Sequence, residues 1–202
     1  MKKLPLSFYR RDDLLQVSRD LMGKLLVTKN KGIISSGRIV ELEAYAGVID
    51  RASHAWSGRR TPRNEMMYMP GGLAYVYICY GIHHLFNVVT NVKDNPHAIL
   101  IRALEPVDGI KSMLRRTKKK IKDNTLTRGP GNLTMALGID IGWNGLSLQD
   151  NKVFIADDEF RYHNKEIFTS PRIGVEGAGK DAALLPYRFY IKGNPYVSGR
   201  PS

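Results

Sequence analysis

The fold of this chain is decided by residues 37–45, which read GRIVELEAY. Apolar side chains recur at every second position, the period of a β-strand whose side chains point alternately to its two faces. The apolar members of this alternating set are Val40, Leu42 and Ala44. We predict that these three face the core, which would place Glu41, Glu43 and Tyr45 together on one open face of the sheet.

The same reasoning predicts the elements on either side. Helical spacing of apolar residues predicts a helix over residues 12–22 that ends at Gly23. The predicted strands are residues 24–28, 37–45, 73–79, 85–91, 98–104, 153–156 and 188–192. A helix is expected to begin at Pro106, and a short one to cover residues 132–137. Because strands outnumber helices, we predict an α+β fold: one domain over residues 1–202, with a curved antiparallel sheet, surrounding helices and a protruding β-hairpin.

The predicted hairpin carries three tyrosines in residues 75–81, which read YVYICYG. Tyr75 and Tyr77 share one strand face, where tyrosine is common for packing reasons alone. Tyr80 precedes Gly81 at the turn, where a large aromatic side chain has no core to fill. Such a side chain is suited to wedging between base pairs of a duplex.

The charge of the chain indicates its partner. Lys and Arg number 31 against 19 Asp and Glu, a net charge of +12. A basic chain of this size typically meets nucleic acid, although a basic surface can also serve solubility or an acidic membrane. Cys79 is the only cysteine, so no internal disulfide is possible. No secretion signal and no apolar run of about 20 residues are present, which predicts an intracellular protein, cytoplasmic and nucleoid-associated, with no membrane contact.

A solitary carboxylate is the candidate catalyst. A carboxylate can deprotonate water and stabilise the cationic sugar centre that forms when an N-glycosidic bond breaks. Glu43 is our candidate, although the strand pattern alone favours a surface salt bridge of Glu41 or Glu43 with Arg38 or Arg102. Arg102 lies within an apolar strand pattern, and a buried arginine needs a partner, for which Glu43 or a phosphate is the candidate.

The histidines do not indicate a metal site. The five histidines show no His-Glu-x-x-His spacing, and the zinc deaminase signature is absent. The histidine spacing therefore gives no reason to predict a metal site. His54 follows the Glu43 strand in an irregular segment and could line a pocket. Basic charge, tyrosine faces and one carboxylate are together what a protein needs to pull a damaged base out of DNA and cut its bond to the sugar.

Eight segments make the chain resemble the alkyladenine (3-methyladenine) DNA glycosylase family, the mammalian-type fold also found in bacteria. They are residues 37–47, 53–54, 61–64, 75–81, 86–87, 100–106, 172–175 and 188–195. They run in order through nearly the whole chain. The sequence departs from the mammalian pattern at residues 82–84 and 111–128.

The resemblance implies a role for each matching residue. Glu43 would be the general base that activates water, and Arg102 would help to position the water and the DNA. Tyr80 would enter the minor groove and fill the space left by the extruded base.

The resemblance also implies a pocket for the extruded base. Tyr45, His54 and Tyr77 would sandwich the base. Asn87 would act as a gate against the exocyclic amino group of normal guanine. The backbone at His54 and Val175 would hydrogen-bond the base or the water.

The activity implied is that of a monofunctional enzyme. It would release an alkylated or deaminated purine from double-stranded DNA as a monomer, without metal or cofactor, and leave an abasic site. Two alternatives stay open on the residues alone. One is a bifunctional glycosylase-lyase of the helix-hairpin-helix type, because residues 129–134 weakly resemble the hairpin of that motif. The other is a non-catalytic DNA- or RNA-binding module.

Overall fold

A nine-stranded antiparallel sheet dominates the computed structural model of the chain, which describes residues 1–199. Its strands are β1 (Lys2–Lys3), β2 (Leu25–Asn30), β3 (Ile33–Tyr45), β4 (Ala74–Cys79), β5 (His83–Thr90), β6 (His97–Asp108), β7 (Val153–Asp157), β8 (Ile167–Ser170) and β9 (Arg188–Ile191). Its α-helices are α1 (Leu6–Tyr9), α2 (Leu14–Leu21), α3 (Ile110–Thr117), α4 (Pro130–Leu137) and α5 (Lys180–Ala183). Short 3₁₀ helices cover Gly47–Ile49, Trp56–Gly58, Glu65–Tyr68, Asn124–Leu126, Ile141–Trp143, Asn164–Glu166 and Glu176–Ala178.

Strand β3, which contains the GRIVELEAY stretch, is central in the sheet. The strand order is β1-β7-β2-β3-β6-β5-β4, and β8 and β9 branch from it because β9 also pairs with β3. The first part of β3 pairs with β2, and residues 41–43 pair with β9. Its other edge pairs with β6 from residue 36 to residue 45. The carboxylate-bearing part of β3 therefore has strand partners on both edges.

Three irregularities interrupt the ladder between β3 and β6, the first of them beside Pro106. Of the other two, which are β-bulges, the first leaves Val40 without a partner on β6, and the second leaves Arg102 without a partner on β3. An extra residue in one strand re-aims its side chain relative to the regular pleat. The second bulge therefore lies at the position from which Arg102 reaches the carboxylates of β3.

Two hydrophobic clusters pack on the sheet. The larger contains Val40, Leu42 and Ala44, each fully buried, so the predicted core-facing set of β3 is confirmed. Helices α2, α3 and α4 pack against the strands that carry this core. The smaller cluster is formed by Ala55, Met67, Tyr68, Tyr75, Val89 and Ala98. It fixes the irregular segment 46–72 on the sheet, and a cavity opens beside it.

The predicted helix start at Pro106 is wrong. Strand β6 continues through Pro106 to Asp108, and α3 begins only at Ile110 after Gly109, whose φ of +75° turns the chain. Pro106 pairs with Gly37 next to an irregularity of the ladder. A proline is tolerated there because a regular backbone donor is not required. Strands β1 and β8 were not predicted from the sequence.

The α+β prediction is confirmed, with a curled antiparallel sheet in one domain. The protruding hairpin is β4–β5 at the edge of the sheet. At its tip Tyr80 and Gly81 have φ values of +51° and +73°, and the Tyr80 side chain is 91% exposed. Within residues 1–199, none of the helices combines the length and apolar character that crossing a bilayer requires.

Candidate active site

The carboxylate of Glu43 is fully buried and held by three groups. Its Oε1 accepts a hydrogen bond from the backbone N–H of Ile173 at 2.8 Å, and the Arg102 Nη1 lies 3.3 Å from the same oxygen. Its Oε2 accepts from the Tyr45 hydroxyl at 2.9 Å. These contacts fix the carboxylate in one orientation, which a general base requires.

The predicted open face of β3 is in fact covered. Glu41 and Glu43 are both 0% exposed, because segments far along the chain lie over them. Ile173 donates to Glu43 and the Ser198 N–H donates to Glu41 at 2.6 Å. The sequence pattern correctly placed the two carboxylates on one face but could not indicate that loops would bury it.

Glu41 is the centre of a buried ion-pair network. Its Oε1 accepts from Arg102 Nε at 3.0 Å and from Arg188 Nε at 2.8 Å. Ser198 adds its hydroxyl at 3.0 Å to the same oxygen. Arg102 therefore spans Glu41 and Glu43, and the predicted partner of Arg102 is found, although the ion pair is buried rather than on the surface.

A second buried ion pair positions the loop that carries Ile173. Arg172 pairs with Asp50 through two hydrogen bonds of 2.5 and 2.8 Å. The same guanidinium donates to the carbonyl of Ala44 at 2.9 Å and lies 4.7 Å from the ring centroid of Tyr45. The backbone donor of Glu43 is thereby tied to strand β3 itself.

A cavity of about 200 Å³, which we call the aromatic cavity, opens next to this carboxylate. Its lining includes Tyr45, His54, Tyr75, Tyr77, Asn87 and Val175. Glu43 lies behind the lining, because it bonds Tyr45 directly and bonds Ile173, whose neighbours Gly174 and Val175 line the cavity. The carboxylate is thus one hydrogen bond from the cavity.

Aromatic rings of the cavity contact one another. The rings of His54 and Tyr77 meet edge to face, with centroids 4.7 Å apart and planes at 72°. The His54 Nδ1 lies 2.8 Å from the Tyr75 hydroxyl. Burial, with Arg63 and Arg59 nearby, lowers the pKa of His54 to about 4, so the ring is neutral at neutral pH. The cavity therefore offers uncharged aromatic surfaces.

Polar groups complete the cavity wall. Asn87 is 3% exposed, and its Nδ2 donates to the carbonyl of Tyr75 at 3.1 Å. The backbone N–H groups of His54 and Val175 have no acceptor among residues 1–199. Both residues line the cavity, and their backbone donors are not satisfied by the described part of the protein.

Burial raises the pKa of Glu43, which makes it a stronger base than a carboxylate in water. Three groups act in the opposite direction: the charge of Arg102 and the hydrogen bonds from Ile173 and Tyr45. Burial also raises the pKa of Tyr77 to about 12, so its hydroxyl stays protonated. The site combines a buried base with neutral aromatic walls.

Of the predicted site residues, all but one meet at this place. Glu43, Arg102, Tyr45, His54, Tyr77, Asn87 and Val175 form or adjoin the aromatic cavity. Tyr80 lies outside it, on the hairpin tip that continues strand β4 beyond Tyr77. Cys79, the single cysteine, is half-buried and lines the cavity.

Several contributors were missed by sequence reasoning. Glu41, Asp50 and Arg172 are buried charges that hold the site together. Arg63 lines the cavity and places its guanidinium 5.2 Å from the ring centroid of Tyr77. The only available signal was a charged residue inside an apolar run, as at Glu41. Asp50 and Arg172 lie in irregular segments, where no periodicity marks them.

A larger cleft elsewhere lacks comparable chemistry. It has a volume of about 410 Å³ and lies beside α2. Most of its charges are already paired: Arg11 pairs with Asp20 at 2.7 Å, and Asp157 pairs with Lys24 at 2.8 Å and with Arg161 at 2.7 Å. Within the described part of the chain, no group of three or more His, Cys, Asp or Glu side chains could hold a metal ion.

Comparison with known proteins identifies the family. The model described as Methylpurine-DNA glycosylase (MPG) matches residues 7–195. The chain belongs to the methylpurine-DNA glycosylase family. A relative from Desulfitobacterium hafniense (strain Y51) is 43% identical over 205 residues, covering 98% of this chain and 99% of its own length. One from Bacillus cereus (strain G9842) is 46% identical over 202 residues, covering 96% and 98%. Both carry the name "Putative 3-methyladenine DNA glycosylase".

Membership of the methylpurine-DNA glycosylase family confirms the predicted resemblance and the enzyme class. The chain is a DNA glycosylase, a hydrolase of N-glycosyl bonds that acts in DNA repair. A non-catalytic binding module is therefore excluded. A helix-hairpin-helix glycosylase is excluded as well, because the family match covers nearly the whole chain and the fold is built on a sheet.

Proposed function

We propose that this glycosylase extrudes an alkylated or deaminated purine from duplex DNA into the aromatic cavity. There it would hydrolyse the N-glycosidic bond with water activated by Glu43. The substrates proposed are 3-methyladenine, 7-methylguanine, hypoxanthine and etheno-adenine. The observation that carries the proposal is the buried Glu43 carboxylate, one hydrogen bond from the lining of that cavity.

The proposed chemistry follows from the position of that carboxylate. The bond between the base and C1′ of the sugar breaks with its electron pair leaving on the base, and the C1′ centre becomes cationic. Water attacks C1′ while Glu43 takes one of its protons, and the negative charge of the carboxylate stabilises the sugar cation. An N-methylated purine that is cationic leaves as a neutral base without needing a proton from the enzyme. Hypoxanthine and etheno-adenine are neutral in DNA, so each leaves as an anion that takes up a proton from the solvent.

Arg102 is proposed to keep Glu43 ionised and oriented. Its guanidinium lies 3.3 Å from the Glu43 carboxylate and is itself anchored by Glu41. A nearby cation favours the charged form of a carboxylate and so opposes the effect of burial on its pKa.

The cavity walls are proposed to recognise the base. Tyr45, His54 and Tyr77 would stack on its faces, which returns about 1–3 kcal/mol for each base stacked. Neutral aromatic surfaces attract a cationic base through their π-faces. Asn87 would stand against the 2-amino group of guanine, and the free N–H groups of His54 and Val175 would bond the edge of the base.

The hairpin tip is proposed to occupy the duplex after extrusion. Tyr80 is 91% exposed beyond strand β4, and an aromatic wedge can fill the space that a displaced base leaves. Strand β4 connects the cavity with the tip, because Tyr77 lines the aromatic cavity and Tyr80 follows the end of the strand three residues later.

Monofunctional hydrolysis is favoured over a lyase reaction. A lyase forms a Schiff base between an amine and the sugar. No lysine lines the aromatic cavity in the part of the chain that the structure describes. Borohydride should therefore trap no covalent adduct with lesion-containing DNA. A trapped adduct would contradict the proposal.

The direct test is release of hypoxanthine from a duplex under single-turnover conditions. Glu43→Gln should lower the rate by about 10²–10⁴-fold, the usual contribution of a general base. The matched control is Glu105→Gln, on strand β6 at a site where the side chain bonds Asn194 instead of the cavity. The control should keep the wild-type rate. Retained base release by Glu43→Gln would remove Glu43 from its proposed role.

A further inference from the structure

A second cavity shares a wall with the aromatic cavity. It has a volume of about 350 Å³ and lies within the irregular segment that follows β3. Ala52, His54 and Arg63 line both cavities. A molecule bound in the aromatic cavity would therefore have this second cavity immediately beside it. We call it the arginine cavity, after Arg51, Arg59 and Arg63.

The three arginines of this cavity carry uncompensated charge. Within residues 1–199, none of them has a carboxylate oxygen within the 4.0 Å that defines a salt bridge. Arg60, in the same segment, does not line the cavity and pairs with Glu65 at 2.5 Å and with Asp94 at 2.9 Å. Glu65 and Asp94 therefore neutralise Arg60, which does not line the cavity, and leave the three arginines of the cavity without a carboxylate partner among the described residues.

The segment that carries the arginines is held in one shape by Asn64. This side chain is 1% exposed. Its Oδ1 accepts from the Thr61 N–H at 2.7 Å, and its Nδ2 donates at 2.8 Å to the carbonyls of His54 and Arg59. The loop is therefore closed by hydrogen bonds before any ligand binds, which lowers the entropic cost of binding.

Aromatic rings restrict two of the guanidinium groups. Arg51 lies 5.8 Å from the ring centroid of Trp56, and Arg63 lies 5.2 Å from that of Tyr77. A guanidinium group stacked in this way keeps its edge, and so its N–H donors, free to bind an anion. Arg63 uses one of its donors, because its Nη2 donates to the carbonyl of Ile78 at 3.1 Å, and keeps the others. Burial lowers the pKa of His54, and Arg63 and Arg59 stand close enough to lower it further.

We propose that the arginine cavity binds the phosphodiester group of the DNA backbone next to the extruded nucleotide. This inference rests on the proposed function, since it assumes that the base enters the aromatic cavity. Planar guanidinium groups pair with phosphate oxygens through two parallel hydrogen bonds. Three such groups around one cavity, with no acid in its wall, fit a phosphate group rather than a neutral ligand.

Binding of that phosphate would also serve the cationic lesions. An N-methylated purine carries positive charge and would enter a cavity that borders on Arg63. A phosphate between the arginines would offset their charge at the moment when the base arrives. The arginine cavity would thus favour extrusion of the base as well as binding of the duplex.

The test measures how tightly wild type and Arg59→Gln bind duplexes in which one backbone phosphate has been made uncharged. Duplexes with one hypoxanthine would carry a methylphosphonate at each of the phosphates flanking the lesion in turn. On the normal backbone Arg59→Gln should lose about tenfold in affinity, and the slope of log K against log salt should fall by about 0.9 for one lost phosphate contact. On the duplex whose methylphosphonate replaces the phosphate that occupies the cavity, wild type and Arg59→Gln should bind with equal affinity.

Arg60→Gln is the matched control, from the same segment but outside the cavity, and should bind like wild type on every duplex. Thermal unfolding of Arg59→Gln should match wild type because the side chain is exposed. An equal loss for Arg59→Gln on every duplex, or no loss on any, would overturn the proposal. Base release by wild type, measured on the same duplexes, distinguishes failure of the proposed function from failure of the phosphate site. If wild type released no base, the proposed function would be refuted, whatever the affinities of the variants.

Discussion

Glu41 and Glu43 lie two residues apart on β3, yet the same change should alter stability in opposite directions. Both side chains are fully buried. Replacing either by glutamine removes one negative charge and keeps the shape. The two sites differ in the partners that the charge holds, so the comparison tests the proposal that the Glu43 carboxylate serves chemistry and the Glu41 carboxylate serves structure.

Glu43→Gln should stabilise the protein at neutral pH. Burial raises the pKa of Glu43, so the site favours an uncharged side chain relative to water. Glutamine still accepts from Ile173, and Arg102 keeps Glu41 at 3.0 Å. Each unit of a raised pKa corresponds to about 1.36 kcal/mol, and each kcal/mol moves the Tm of a domain of this size by about 2–4 °C.

Glu41→Gln should destabilise the protein. Its carboxylate holds Arg102 and Arg188 at 3.0 and 2.8 Å and accepts two hydrogen bonds from Ser198. Without that charge, Arg188 has no carboxylate partner among residues 1–199. Breaking a buried ion pair costs about 3–5 kcal/mol, which lowers the Tm by about 6–20 °C.

The assay is thermal unfolding of wild type and both variants over a series of pH values. A raised folded-state pKa means that protonated Glu43 favours the folded state below about pH 4.5 and that this contribution is lost as pH rises through the folded pKa. The advantage of Glu43→Gln over wild type should therefore be largest at neutral pH and shrink in acid. Loss of stability in Glu43→Gln as large as in Glu41→Gln, at every pH, would refute the reasoning.

Three further outcomes follow from the cavity and the hairpin. The pKa of His54 is lowered to about 4 from 6.5, so the folded protein should lose stability as pH falls between these values, and His54→Gln should flatten that part of a plot of unfolding free energy against pH. Asn87→Ala should increase release of guanine from undamaged duplexes relative to hypoxanthine, measured as free base, and an unchanged ratio would exclude the gate. Tyr80→Ala should change the free energy of unfolding by no more than about 0.5 kcal/mol and should weaken binding of lesion-containing duplexes. Unchanged affinity together with unchanged base release would exclude the wedge.

Local patterns were sufficient for most of the fold. The alternation in residues 37–45 and the tyrosine-rich hairpin predicted strands that the structure contains. Helix α2 begins after Asp13, whose side chain accepts from the Gln16 N–H, and its apolar spacing was visible in the sequence. These features depend on neighbours within a few residues, so they can be read directly from the chain.

The chemistry of the candidate site was only partly visible. Most of the aromatic and polar residues that meet at the aromatic cavity were predicted, and the resemblance to a known family supplied their roles, but Arg63 was missed. Glu41 was given no function, and the arginines beside His54 were not singled out. Each of these residues looks like an ordinary surface charge until its surroundings are known.

The sequence by itself determined that a strand bearing Glu41 and Glu43 exists, because alternation of side chains is a property of the backbone. Only the tertiary structure decided that both carboxylates are buried. The groups that cover them, the N–H of Ile173 and that of Ser198, lie 130 and 157 positions further along the chain. Burial in turn sets the direction of the Glu43 pKa, because removing water disfavours charge, and no local pattern carries that information.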